Sequence, residues 1–181
     1  FSRAHIMGGT SGAVCMPSRA MLLTGKTLFH LDNRGANIPD DHIMLLEILQ
    51  KAGYITFGTG KWHNGRRAYA RCFTQGGKIM YGGMSDHLQV PVHDFDPTGE
   101  YPEDTKYIGN KFSSELFSDE AIHFLNEHKS EDPFFLYISY TAPHDPRMAP
   151  KEFSKLYPPE EIKIPENFLP KHPFDHGEMF I

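Results

Sequence analysis

Long apolar runs are missing from this chain. The longest, Phe134–Tyr140 (FFLYISY), falls far short of the roughly 18 residues that a membrane-spanning helix needs, so no span is expected. Basic runs are missing too. Lys and Arg number 18 against 23 Asp and Glu, a formal net charge of −5. That balance excludes nucleic-acid binding by bulk neutralisation of phosphates. Cysteine is scarce: Cys15 and Cys72 allow one bridge at most and no disulfide framework. There is no C-x-x-C pair, which argues against a zinc or dithiol redox site. Internal repeats and low-complexity segments are absent. Phe1-Ser2-Arg3-Ala4-His5 lacks the charged start and apolar stretch of a secretory leader. Met179-Phe180-Ile181 ends on apolar residues without a polar tail. Both ends read as the interior of a longer chain, so neither fixes a location.

What is present suits one domain, or part of one. The 181 residues are 39% hydrophobic and 13% aromatic, enough to bury a core. Fourteen prolines and 16 glycines mark a loop-rich chain, and 11 histidines are many for this length. Pro17–Thr24 is expected to be a short helix, with proline in its first turn and Gly25 at its end. A second helix is expected over Asp41–Ala52, capped by Asp40 or Asp41 and stopped at Gly53. Tyr54–Gly58 reads as a strand. Residues 64–110 read mostly as loop, with a short strand near Lys78–Tyr81. Ser113–Lys129 is an amphipathic helix with Leu116, Phe117, Ala121, Phe124 and Leu125 on one face. Phe134–Tyr140 reads as a strand buried on both faces of a parallel sheet. Thr141–Pro150 is then a loop at a strand's C-terminal end, where open α/β sheets place ligands. After Tyr157 the chain is Pro-rich and irregular. The fold class is α/β, a mostly parallel sheet flanked by helices.

The densest chemical signal is Cys15-Met16-Pro17-Ser18-Arg19, running on into Ala20-Met21-Leu22-Leu23-Thr24-Gly25. It sets a nucleophile beside a helix N-terminus, where unpaired N–H groups and the helix dipole favour an anion. Arg19 lies one turn further on the same face and can fork onto a tetrahedral oxyanion. Such a site suits phosphate or sulfate ester chemistry. A lone cysteine is more often a buried small hydrophobe, but two other segments stand against that here. Gly60-Lys61-Trp62-His63 follows the strand at 54–58, and Ala142-Pro143-His144 follows the strand at 134–140.

The C-x-P-S-R…L-L-T-G string, the G-K-W-H element and the strand-end histidine, in this order and spacing, resemble the type I sulfatases of the alkaline phosphatase-like superfamily. The resemblance implies that Cys15 is oxidised before folding to formylglycine by a modifying enzyme that reads C-x-P-x-R. The aldehyde hydrates to a geminal diol; one hydroxyl attacks sulfur of a sulfate monoester, and loss of the second proton expels sulfate. A divalent cation, Ca²⁺ or Mg²⁺, is implied, with residue 15 as one of its ligands. Arg19 and Lys61 would hold the diol and sulfate. His63 would act as base in the elimination, and His144 would contact sulfate or the leaving oxygen, the two roles being interchangeable at this level. Trp62 reads as core or pocket wall, and Cys72 as structural.

Asp40-Asp41 is tempting as a metal pair. It is set aside because these residues are expected to cap a helix and the family's Asp pair lies on an earlier strand. Asp86, His87, Asp94 and Asp96 read as solvated loop charge. Tyr81–His87 and Asp94–Gly99 resemble bacterial members that desulfate carbohydrates, which implies a sulfated glycan substrate and a periplasmic or extracellular enzyme. The chain is expected to be a partial catalytic domain over 1–181, without the upstream Asp pair and the downstream metal ligands, and inactive as an isolated piece. The competing readings are a phosphoesterase or phosphonate monoester hydrolase of the same superfamily, and a non-catalytic fragment that binds sulfated glycan.

Overall fold

The computed structural model describes residues 15–170 and 173; the terminal segments Phe1–His5 and Met179–Ile181 lie outside them. In chain order the regular elements are α1 (Cys15–Thr24), α2 (Leu45–Lys51), β1 (Ile55–Trp62), α3 (Arg66–Cys72), β2 (Gln75–Tyr81), β3 (Pro91–Val92), β4 (Tyr107–Ile108), α4 (Ser113–Glu127), β5 (Phe134–Ser139) and α5 (Lys151–Ser154). Of the described residues, 15–148 belong to one compact unit. From Ala149 onward a second unit begins, whose described part holds α5 and a single 3-10 turn at Pro159–Glu161.

The central sheet of the larger unit has strand order β2-β1-β5, all parallel. Helices cover both faces, as an α/β chain requires. On one face, Ala20 and Leu23 of α1, Leu46 of α2 and Tyr69 and Cys72 of α3 join Trp62 and Phe73 in one cluster. On the other, Leu116 and Phe117 of α4 pack with Met80, Val90 and Val92. Phe124 stacks on Phe57 of β1 at 4.4 Å between ring centroids. Burying each such side chain contributes roughly 1.5–3 kcal/mol. The β3–β4 ribbon is antiparallel and joins the sheet through an Ile79–His93 bridge.

Several expectations shift. The strand expected over Tyr54–Gly58 runs on to Trp62, so Lys61 and Trp62 lie within β1. The second helix is shorter than Asp41–Ala52, and neither aspartate caps it. Met44 holds the N-cap position, its N–H donating to Glu47 Oε2 at 2.9 Å. Asp40 is drawn away by Arg67 and Arg71, at 2.5 and 3.3 Å, and the Asp41 side chain is exposed. Residues 64–110 hold a helix, α3, and a full strand, β2. The helix was masked by its three arginines, although Ala68, Tyr69 and Cys72 lie buried at helical spacing. In α4 the buried face is Leu116, Phe117, Ala121 and Phe124, while Leu125 is exposed.

The strand expected to be buried on both faces is only half-buried. Among the described residues β5 stands at the sheet's edge, with Phe134 exposed and Ser139 its one buried residue. Continuous burial belongs instead to β1, from Thr56 to Trp62. Its small residues are what allow this. A Cβ at Gly58 would meet the Tyr69 hydroxyl at 2.6 Å and the Phe73 ring at 2.9 Å. Gly60, at φ +90°, sits where the β1–β2 register shifts. A Cβ there would collide with the Ser139 carbonyl.

Candidate active site

The N-terminus of α1 meets the C-terminal ends of β1 and β5. Cys15 opens α1 and is half-buried, its Sγ 3.3 Å from His63 Nδ1. Arg19, one turn later, reaches across to both strands. Its Nη1 donates to the Lys61 carbonyl at 3.2 Å, the Tyr137 hydroxyl at 3.1 Å and Ser139 Oγ at 2.6 Å. Lys61 is 3% exposed and donates from Nζ to the Gly83 carbonyl at 2.6 Å. Gly83 lies against His63 as well: a Cβ there would come within 3.1 Å of Cε1. The loop after β2 thus covers Lys61 and His63 closely, with no side chain between.

Two neighbours fix this arrangement. Trp62 is buried in the aromatic cluster with Tyr69 and Phe73, and its indole N–H donates to the Gly65 carbonyl at 2.7 Å. It belongs to the core, one of the two placements expected for it. Asn64, fully buried, donates from Nδ2 to the Met16 carbonyl at 2.9 Å and the Gly35 carbonyl at 2.7 Å. It ties the chain just past His63 to the helix turn that carries Cys15. Ser139, Tyr137 and Asn64 are not among the candidate site residues read from sequence, and Gly83 enters there only within the Tyr81–His87 stretch. The one local hint was Asn64, which directly follows His63.

The electrostatics favour an anion. Burial pulls the Lys61 ammonium below lysine's ordinary value; Cys15 opposes that shift and Arg19 adds to it. Burial also lowers His63, with further lowering from Lys61, Arg19 and His144. Cations and imidazoles crowd one another here, and an arriving anion relieves that crowding.

His144 lies in the loop after β5, where its N–H donates to the Thr141 carbonyl at 3.0 Å. Its Nδ1 is buried without a hydrogen-bond partner among the described residues. The structure therefore gathers Cys15, Arg19, Lys61 and His63 through direct contacts and sets His144 near enough to influence His63. The expected loop charges divide. Asp86 Oδ1 accepts from the backbone of Leu88 and Gln89, Asp94 pairs with Lys78, and Asp96 turns its own loop through Thr98. His87 departs from the expectation: it is 1% exposed and fully engaged in hydrogen bonds. Cys72 is structural, buried with its Sγ 3.3 Å from Met44 Sδ, and burial pushes its thiol pKa well up. No group of three His, Cys, Asp or Glu suited to a metal ion occurs among the described residues, and no described helix is long and apolar enough to cross a membrane.

Comparison with known proteins is consistent across sequence and structure. N-acetylgalactosamine-6-sulfatase of Homo sapiens is 30% identical over 172 residues, covering 80% of this chain and 33% of that protein. The ulvan-active sulfatase of Formosa agariphila is 30% identical over 169 residues, covering 87% of this chain and 32% of its own. This chain thus spans about a third of the length of the curated relatives it matches. The crystal structure of Ps i-CgsB in complex with k-i-k-neocarrahexaose superposes with a TM-score of 0.61 at 26% identity, covering 82% of this chain and 39% of that one. The described sheet and helices are accordingly part of an alkaline phosphatase-like α/β fold. The sulfatase family model matches residues 1–167, and the chain belongs to the sulfatase family.

Proposed function

We propose that the protein is a sulfuric ester hydrolase acting on a sulfate monoester of a carbohydrate, with position 15 as its nucleophile. The observation that carries this reading is the cluster itself. A nucleophile at a helix N-terminus contacts His63, with Arg19 and the buried Lys61 beside it. Two fixed cations and a base around one attacking position match the needs of an anionic ester.

Formylglycine fits position 15. The side chain there is short, half-buried and within hydrogen-bond reach of His63. When present and hydrated, it supplies one hydroxyl to attack sulfur and another whose proton loss releases sulfate. Arg19, held by Ser139 and Tyr137, orients residue 15 and offsets negative charge. Lys61 binds sulfate from within β1. His63, kept neutral by its surroundings, takes the proton. His144 meets the leaving oxygen and hands it a proton.

The divalent cation implied by the family, Ca²⁺ or Mg²⁺, finds no complete site among the described residues. Such ions take about six to eight oxygen ligands, and position 15 with cationic neighbours offers one group at most. No step above runs through it. The substrate class rests on the relatives, whose names include an N-acetylgalactosamine-6-sulfatase and an ulvan-active sulfatase. We extend to this chain a sulfated glycan substrate, a formylglycine-generating partner and a periplasmic or extracellular location.

The test is made on the full-length protein produced with the modifying enzyme. Mass spectrometry of the peptide around position 15 should show the aldehyde or its hydrate, and turnover should favour 4-nitrophenyl sulfate over the matched phosphate. Faster phosphate cleavage would reassign the protein to the phosphoesterase branch of the superfamily. Modified enzyme without turnover of any sulfate ester would leave a binding protein.

A further inference from the structure

We propose that His87 is a positioning residue, which sets His144 in the site through the backbone of the loop after β5. The proposal rests on the reading above, in which His144 meets the leaving oxygen. His87 lies between β2 and β3, and both its ring nitrogens are committed. Nε2 is 3.0 Å from the His144 carbonyl oxygen; Nδ1 is 3.0 Å from both Ser113 Oγ and Thr141 Oγ1. A carbonyl only accepts, so Nε2 carries a proton and donates to His144. Thr141 Oγ1 donates to Ser113 Oγ at 2.7 Å. The two hydroxyls thus hold one edge of the ring while the other edge donates to the His144 carbonyl.

The rest of His87 is equally fixed. Its own carbonyl accepts from the Ser113 N–H at 2.8 Å, and its ring stacks on Phe112 at 5.7 Å between centroids. His144 depends on such an anchor. Pro143, Asp145, Pro146 and Arg147 around it are exposed. Among the described residues none bonds its ring at Nδ1, and the anchor they provide is to its backbone. Misplacement of a reacting group by about 1 Å can cost on the order of 100-fold in rate.

Two near-equal substitutions in the full-length protein separate positioning from mere support of the fold. His87→Gln sets an amide N–H near the Nε2 place and keeps the donor to His144. His87→Asn keeps a polar group near Nδ1 and falls short of His144. Each is assayed on a sulfated sugar, whose alkoxide needs a proton, and on 4-nitrophenyl sulfate, whose leaving group does not. His87→Asn should lower kcat on the sugar sulfate about 100-fold with KM little changed, and on the aryl sulfate no more than about threefold. His87→Gln should retain most of the sugar-sulfate rate. Should His87→Asn fail to accumulate, the double variant Ser113→Ala, Thr141→Val removes the hydroxyls that hold the ring. It should shift the ratio of the two rates in the same direction. Equal losses on both substrates, or an unchanged ratio in these variants, overturn the proposal. A wild-type enzyme inactive on both substrates overturns the functional reading instead, and this inference with it.

Discussion

The two walls of the site are made of different material. One is β1 with the start of α1, where Lys61 and Asn64 are buried and side chains bond directly to side chains or to the neighbouring backbone. The other is the loop after β5, an edge strand only half-buried, in which His144 is flanked by exposed residues. The first wall is rigid because it belongs to the core. The second has little apolar burial and relies on a chain of polar contacts through His87. Arg19 hydrogen-bonds to both strands, which makes it the place to begin testing the contrast.

Arg19→Met should have the largest effect. It removes a charge from the anion site and also the contacts to Lys61, Tyr137 and Ser139. We expect kcat/KM on an aryl sulfate to fall about 10³-fold, in line with loss of a transition-state donor; a loss under tenfold would show that Arg19 is only a strut. Next comes the pH profile. His63 must be neutral to act as a base, and burial with its cationic neighbours lowers its pKa. The acid limb of kcat/KM should therefore have its midpoint below about 6.5, with the rate flat just above it and falling tenfold per unit further down. A midpoint at or above that value contradicts the assignment. The smallest effect is expected in the rigid wall. Asn64→Asp leaves the Met16 and Gly35 carbonyls without their donor and faces them with a carboxylate. Stability in denaturant should drop by roughly 1–3 kcal/mol, and unchanged stability would mean that the wall does not need this tie.

The same contrast governs what the sequence reveals. Cys15, Arg19, Lys61 and His63 stand in short strings whose geometry is local: a helix turn in one case, a strand end in the other. Such strings are legible residue by residue. Ser139 and Tyr137 meet Arg19 across about 120 positions of chain, and no periodicity announces that meeting. Helix α4 was legible from its apolar face. Burial on both faces is misread at β5, because β1 carries two glycines and two threonines while FFLYIS has the greasier composition. Hydrophobic content reported what each strand carries, not how many neighbours cover it. His87 reads as surface charge for a related reason: a histidine in a Gly- and Asp-rich stretch looks solvated until Ser113 and Thr141 are brought to it.

Gly60 leaves little room for drift. Its α-carbon faces the Ser139 carbonyl so closely that even alanine would wedge β5 off β1, and Ser139 is the residue Arg19 grips hardest. A methyl group at position 60 would thus be felt as a misdirected guanidinium two elements away. Lineages that lose this hydrogen-sized side chain would have to rebuild the strand edge before they could use the arginine again.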